Sequence, residues 1–161
     1  MSSKIENASA CFEEGFSCAQ AVLSTYGPGL GLERELALRV AGSFGGGMGM
    51  GRTCGAVTGA LMVIGLRRGK TVADDDEAKE ACYNLAREFV AQFEARNGAI
   101  TCKELLGYDI SIPGEKEMAK EQGLFDTRCP ELVRDAAEIL EQIVVAREKE
   151  RIIALLPPDG G

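Results

Sequence analysis

Six cysteines and no histidine stand in 161 residues, and that imbalance decides which chemistry is open to the chain. Without histidine, Ser–His and Cys–His nucleophile pairs are excluded within it. So are His-ligated zinc and covalent haem with an axial histidine. Thiolate chemistry is what remains. In a reducing compartment, cysteines in this number more often mean metal or redox work than structural disulfides.

Placement separates four of them from the rest. Ser17-Cys18-Ala19-Gln20 and Thr101-Cys102-Lys103-Glu104 read as capping boxes, a hydroxyl cap with Gln or Glu three residues on. Thr53-Cys54 repeats the hydroxyl-then-cysteine order at a predicted helix start. Cys129 precedes Pro130, and Pro is favoured at the first helical position. Cys18, Cys54, Cys102 and Cys129 are thus expected at four helix N-termini. A helix start presents unpaired N–H donors and a positive partial charge, which lower a cysteine pKa from ~8.5 and favour the reactive thiolate. Arg52, Lys103 and Arg128 stand next to three of these cysteines and add to the effect if they point inward. Cys11 and Cys82 break the pattern and are expected to pack as small apolar groups.

The elements that must position these residues read as helices throughout. Apolar residues recur at three- and four-residue spacing over Ser3 to Glu14, and again from Ser17 to about Ser24. A third helix is expected from Glu33 to Ser43, with Leu36, Val40 and Phe44 on one face. The run Gly45-Gly46-Gly47-Met48-Gly49-Met50-Gly51 is too glycine-rich for a helix or strand interior. Met48 and Met50 could line a cleft near Cys54. A fourth helix is expected from Thr53 to Leu66. A fifth, capped by Asp74 with Glu77 at the box position, carries Ala78, Cys82, Leu85, Phe89 and Phe93 on one face and closes at Asn97-Gly98. Thr101 opens a short helix that ends at Gly107. Tyr108 to Leu124 reads as loop, with one helical turn around Lys116 to Lys120. A long helix then runs from about Pro130 to Leu156, stopped by Pro157-Pro158. No run alternates with a period of two. The expected class is all-α, a compact single-domain helical bundle over residues 1–161 with a long C-terminal helix.

The glycines around Cys54 are further candidates. Gly55 and Gly59 lie four apart on one helix face and let a second helix or a ligand approach closely. Gly51 closes a loop whose N–H groups could cradle an anion. Gly51, Gly55 and Gly59 are therefore candidate cofactor-binding positions. A P-loop is rejected for Gly46 to Thr53, because the sequence before it is helical and a P-loop follows a strand.

The order Cys18-Ala-Gln-Ala-Val, then Gly51-Arg-Thr-Cys54-Gly-Ala-Val-Thr-Gly59-Ala, then Cys102-Lys-Glu-Leu-Leu-Gly107, then Cys129-Pro resembles the family named C_GCAxxG_C_C for its cysteines. The resemblance covers about residues 8–145, leaving a helical extension at about 146–156. It implies redox activity at the four cysteines and supplies no substrate. A related domain occurs in split-Soret cytochromes, where haem and iron–sulfur centres are associated with it. The haem part does not carry over to a chain without histidine.

Three uses of the four cysteines compete. A dithiol/disulfide couple needs no cofactor: one thiolate attacks a disulfide or oxidant, and a second cysteine resolves the product. Cys18 or Cys54 is the expected attacker, and the pairing is open. An iron–sulfur site with Cys18, Cys54, Cys102 and Cys129 as ligands is the alternative, although no two of them form a C-x-x-C chelate. In the third reading the cysteines only pack, and the protein binds or scaffolds.

The remaining bounds are broad. A net charge of −7 argues against nucleic acid and anionic membrane surfaces as partners. The longest apolar stretch, near Gly59 to Leu66, falls far short of the ~20 residues of a membrane span. The first ten residues are polar, so a targeting segment is not expected and a cytoplasmic location is. The expected partner is a redox protein or a small oxidant. The apolar C-terminal end, Ile152, Ile153, Leu155 and Leu156, is expected to pack on the domain or on a second copy in a homodimer.

Overall fold

The computed structural model describes residues 2–158. Nine α-helices and no strands occur among the described residues. They are α1 (Lys4–Glu13), α2 (Cys18–Tyr26), α3 (Arg34–Val40), α4 (Gly55–Arg68), α5 (Asp76–Asn97), α6 (Cys102–Leu106), α7 (Pro113–Glu121), α8 (Leu124–Leu140) and α9 (Ala146–Leu155). A π turn, Glu141–Val145, runs α8 on into α9 as one long C-terminal helix. None of the helices is long and apolar enough to cross a membrane.

Local signals fix most of the starts. Ser3 and Glu6 close a capping box on α1, and Ser17 and Gln20 close one on α2. Ser17 accepts from the Gln20 amide at 3.3 Å, and the Gln20 side chain accepts from the Ser17 amide at 3.0 Å. Thr101 caps α6 by accepting from the Glu104 amide. Gly98 ends α5 in the left-handed region.

α2 and α4 cross at close range in the middle of the fold, because α4 offers glycine where α2 arrives. A Cβ on Gly59 would meet the Ala19 carbonyl oxygen at 2.9 Å, and one on Gly55 would meet the Ala19 amide nitrogen at 2.9 Å. The space beside Cys54 is thus taken first by a helix. α8 crosses the same layer, and α1, α5 and α7 pack on it. The core between them holds Leu23, Val57, Ile64, Phe89, Phe93, Leu132, Ile139 and Leu140, all essentially inaccessible. Cys11 is buried in this core and Cys82 packs against it, as expected.

Five expectations need correction. α8 begins at Leu124, so Pro130 lies inside a helix rather than at its first position. The Tyr108 to Leu124 stretch is not mostly loop, since Ile112-Pro113 starts the nine-residue α7. α5 is capped by Asp75 rather than Asp74: its side chain accepts from the Ala78 amide at 2.9 Å. Leu36 and Val40 stay half-exposed, and Ala37 is the buried residue of the short α3. The C-terminal apolar end does not pack on the domain. Ile153 and Leu155 are 66% and 78% exposed, because α9 runs past the last core residue, Val144.

Candidate functional site

Cys18, Cys54, Cys102 and Cys129 all line one apolar cavity of about 120 Å³. Four separate segments bring them there. Cys18 is the first residue of α2, oriented by the Ser17 box. Cys54 is the residue from which α4 springs, and Cys102 is the first residue of α6. A short bridge pairs these two segments. Thr53 lies antiparallel to Thr101, the Cys54 amide donates to the Ile100 carbonyl at 2.8 Å, and the Cys102 amide donates to the Arg52 carbonyl at 2.6 Å. Cys129 comes from the second turn of α8.

Two details differ from the expectation drawn from the sequence. Thr53 does not cap α4, because the bridge holds it extended and Cys54 itself takes the cap position. Cys129 is not at a helix start, so helix-end stabilisation of its thiolate does not apply. Phe125, Cys129 and Leu132 stand at i, i+4 and i+7 on one face of α8, and all three line the cavity. That spacing is the sequence signal for the earlier start of α8.

Phe12, Leu106 and Ile110 complete the apolar wall. Cys54, Cys102 and Cys129 are 3%, 7% and 6% exposed, and Cys18 is partly buried, so a reactant meets these sulfurs only inside the cavity. Gly46 and Gly55 also face the space, the former from the glycine-rich loop. Gly51 is faced by Asp109, whose Oδ1 lies 2.9 Å from where its Cβ would be, and Gly59 faces α2. Met50 points to solvent at 57% exposure.

The four sulfurs are electrostatically unequal. The neighbouring Cys129 and Cys54 sulfurs, together with burial, hold the Cys18 pKa well above the ordinary thiol value. Cys54 is pushed the other way. The Cys18 contact lowers its pKa first, the Ala56 and Val57 amides at the start of α4 lower it further, and the Arg128 guanidinium adds to this against burial. No cap bond of normal length closes on the Cys54 sulfur, so the amides act as nearby dipoles. Burial raises Cys102 to about 12, helped by Cys54, Cys129 and Asp109. At Cys102 a five-residue helix does not outweigh desolvation. Of the three cations beside the cysteines, Arg128 reaches the site. Lys103 pairs with Asp109 at 3.9 Å, and Arg52 also acts on Asp109.

This arrangement can hold one thiolate, at Cys54, beside a proton-bearing thiol, at Cys18. It can also present four sulfur donors to a single space. Among the described residues, no three His, Cys, Asp or Glu side chains are grouped as ligands for one metal ion.

The model of the family described as "Putative redox-active protein (C_GCAxxG_C_C)" matches residues 16–143. That span contains all four cysteines and every helix from α2 to α8. No curated protein and no solved structure matches the chain.

Proposed function

From the premise that the chain belongs to the redox-active C_GCAxxG_C_C family, we propose that it is a thiol redox protein in which Cys54 and Cys18 form the working couple. The observation that carries this reading is geometric: Cys18 and Cys54 face one buried apolar cavity from the starts of α2 and α4, and the Ala56 and Val57 amides with Arg128 favour the thiolate at Cys54. The Cys54 thiolate attacks one sulfur of an incoming disulfide, forming a mixed disulfide and releasing the other half as thiolate. The Cys18 thiol gives its proton to the released thiolate and attacks the Cys54 sulfur. The second half leaves as thiolate, and a Cys18–Cys54 disulfide remains. Two electrons pass from the cysteine pair to the incoming disulfide, which is thereby reduced to two thiols. Burial of the sulfurs limits that reactant to a low-molecular-weight disulfide able to enter an apolar cavity of about 120 Å³. A reducing cytoplasm suits a couple that must be returned to its thiols.

Mass mapping after exposure of the reduced protein to dimethyl disulfide, a small uncharged disulfide, tests the proposal. The expected result is loss of two of the six thiols, with Cys18 joined to Cys54. Six thiols remaining, or a bridge through Cys11 or Cys82, overturns it.

One observation favours a second reading. A dithiol couple needs two cysteines, and here four face one cavity. Four thiolates form the usual ligand set of an iron–sulfur cluster, so the donor chemistry suits such a group, with Cys18, Cys54, Cys102 and Cys129 holding it once the sulfurs, which are not grouped for a single metal ion here, draw together. Bound there, it would supply one-electron transfer. The apolar walls would keep water from it, and Arg128 would offset part of its negative charge. Iron and acid-labile sulfide in anaerobically purified protein, absent from the Cys102→Ala variant, would establish this reading over the first.

A further inference from the structure

A second cavity, of about 150 Å³, lies at the opposite end of α2 from Cys18. It opens between the first turn of α1, the end of α2, the last turns of α4 and the π turn after α8. Val63, Leu140 and Val144 give it an apolar wall, and Lys4 and Arg67 give it two cations. π turns inside α-helices are rare and often mark functional sites, and this one supplies Val144.

The cations are left without partners. Among the described residues neither Lys4 nor Arg67 has a carboxylate within ion-pair distance. Arg68, the next residue, pairs with Glu148 at 3.0 Å. The Arg67 Nε–H is buried and has no acceptor. Guanidinium does not lose its proton in proteins, and buried donors are almost always satisfied. Among the described residues the chain supplies no acceptor to this donor. The Lys4 ammonium sits 5.2 Å over the Tyr26 ring. The Tyr26 hydroxyl donates to Glu141 Oε1 at 2.9 Å and lies 3.2 Å from the Ala137 carbonyl. The nearby carboxylate is therefore bonded to a phenol, and the cavity wall itself carries Lys4 and Arg67 and no carboxylate, while Arg67 also borders the neighbouring cavity that Asp75 and Glu77 line.

We propose that this cavity is a binding site for a small organic monoanion. Its carboxylate lies between Lys4 and Arg67 and accepts from the Arg67 Nε–H. Its short hydrocarbon part lies against Val63, Leu140 and Val144. The size sets the class, since drug-sized ligands occupy roughly 300–1,000 Å³ and this space is about 150 Å³. The site shares no residue with the cysteine cavity, so its occupancy stands apart from the redox reading.

Hexanoate, hexanol and inorganic phosphate are the probes, titrated into the reduced full-length protein with amide chemical shifts as readout. Saturable shifts at Val63, Leu140 and Val144 with hexanoate are expected, at least tenfold stronger than with hexanol or phosphate. Lys4→Met and Arg67→Met should each weaken hexanoate at least tenfold. Lys4 is exposed on the first turn of α1, so its variant keeps the test valid if Arg67→Met fails to fold. Hexanol binding as tightly as hexanoate overturns the anion site. Phosphate binding as tightly removes the role of the apolar wall and overturns the proposal. So does a hexanoate response that never saturates, or one that Lys4→Met leaves unchanged.

Discussion

Cys54 and Cys102 carry the same functional group on adjoining segments, and the environment drives them apart. The thiolate is the reactive form, so alkylation should begin at Cys54 at neutral pH and reach Cys102 only as pH approaches about 12. Peptide mapping after brief iodoacetamide treatment across a pH series checks this order. Arg128 lowers the Cys54 pKa through charge, and its own pair with Glu131 at 3.5 Å leaves that charge close to the site. Arg128→Gln should therefore slow Cys54 alkylation at neutral pH by a few-fold and shift its inflection upward, without altering the rate at high pH. Cys102 also has a consequence for stability. Its folded pKa is raised, so the folded state favours the neutral thiol. That contribution is fully present below the ordinary thiol pKa of ~8.5 and is lost as pH rises towards about 12. Urea midpoints of the wild-type protein should fall over that window, and Cys102→Ala should flatten the fall.

Helices position these groups, and their legibility in the sequence depends on how local the signal is. The caps of α1, α2 and α6 are spelled out within four residues; the structure closes the full box at α1 and α2, while at α6 Thr101 caps the helix and the Glu104 side chain bonds the Thr101 hydroxyl rather than its amide. α8 is harder to read because a local signal competes with packing. Pro130 looks like a first helical residue, yet α8 runs through it at a cost of roughly 3 kcal/mol for an interior proline. The segment ahead of it offsets that cost: Cys129 is buried and Leu124 and Phe125 pack against the cluster it forms with Cys102 and Leu106, and burying one large apolar side chain contributes about 1.5–3 kcal/mol. Tertiary burial wins, and it moves Cys129 away from a helix start. The bridge at Thr53 and Thr101 was equally illegible, since it joins residues far apart in sequence. Two substitutions probe the element scale. Gly59→Ala places a Cβ against the Ala19 backbone, 2.9 Å from its carbonyl oxygen. Backbone cannot move aside as a side chain can, so a loss of about 1–3 kcal/mol is expected by urea unfolding. Met48 in the glycine loop holds φ at +62, the sparsely populated left-handed region. Met48→Gly should stabilise by about 1 kcal/mol in the same assay.

Across the whole molecule the burden of stability and the burden of chemistry fall on different places. The large core runs from α1 through α4 and α5 to α8. Cys102, Leu106 and Cys129 form a separate small cluster, with Cys18, Phe12 and Phe125 packed against it, and the cavity lies where this cluster meets Cys54 of the main core. Convergence of the four cysteines on that seam could not be read from their spacing, which offers no local chelate; it follows from how α2, α4, α6 and α8 cross. The seam already contains free space, so truncating the sulfurs removes few close contacts. The variant with all four replaced, Cys18→Ala, Cys54→Ala, Cys102→Ala and Cys129→Ala, should keep its helical circular dichroism. Its redox response should be gone, and no more than about 3 kcal/mol of stability should be lost. Phe93→Ala lies in the sealed part of the core, fully buried and 6.0 Å from the Phe89 ring. Deleting that ring should lose about 3–5 kcal/mol and leave a cavity. If the quadruple variant is the less stable of the two, the cysteines are structural first, and the reading of the seam as a redox site loses its physical basis.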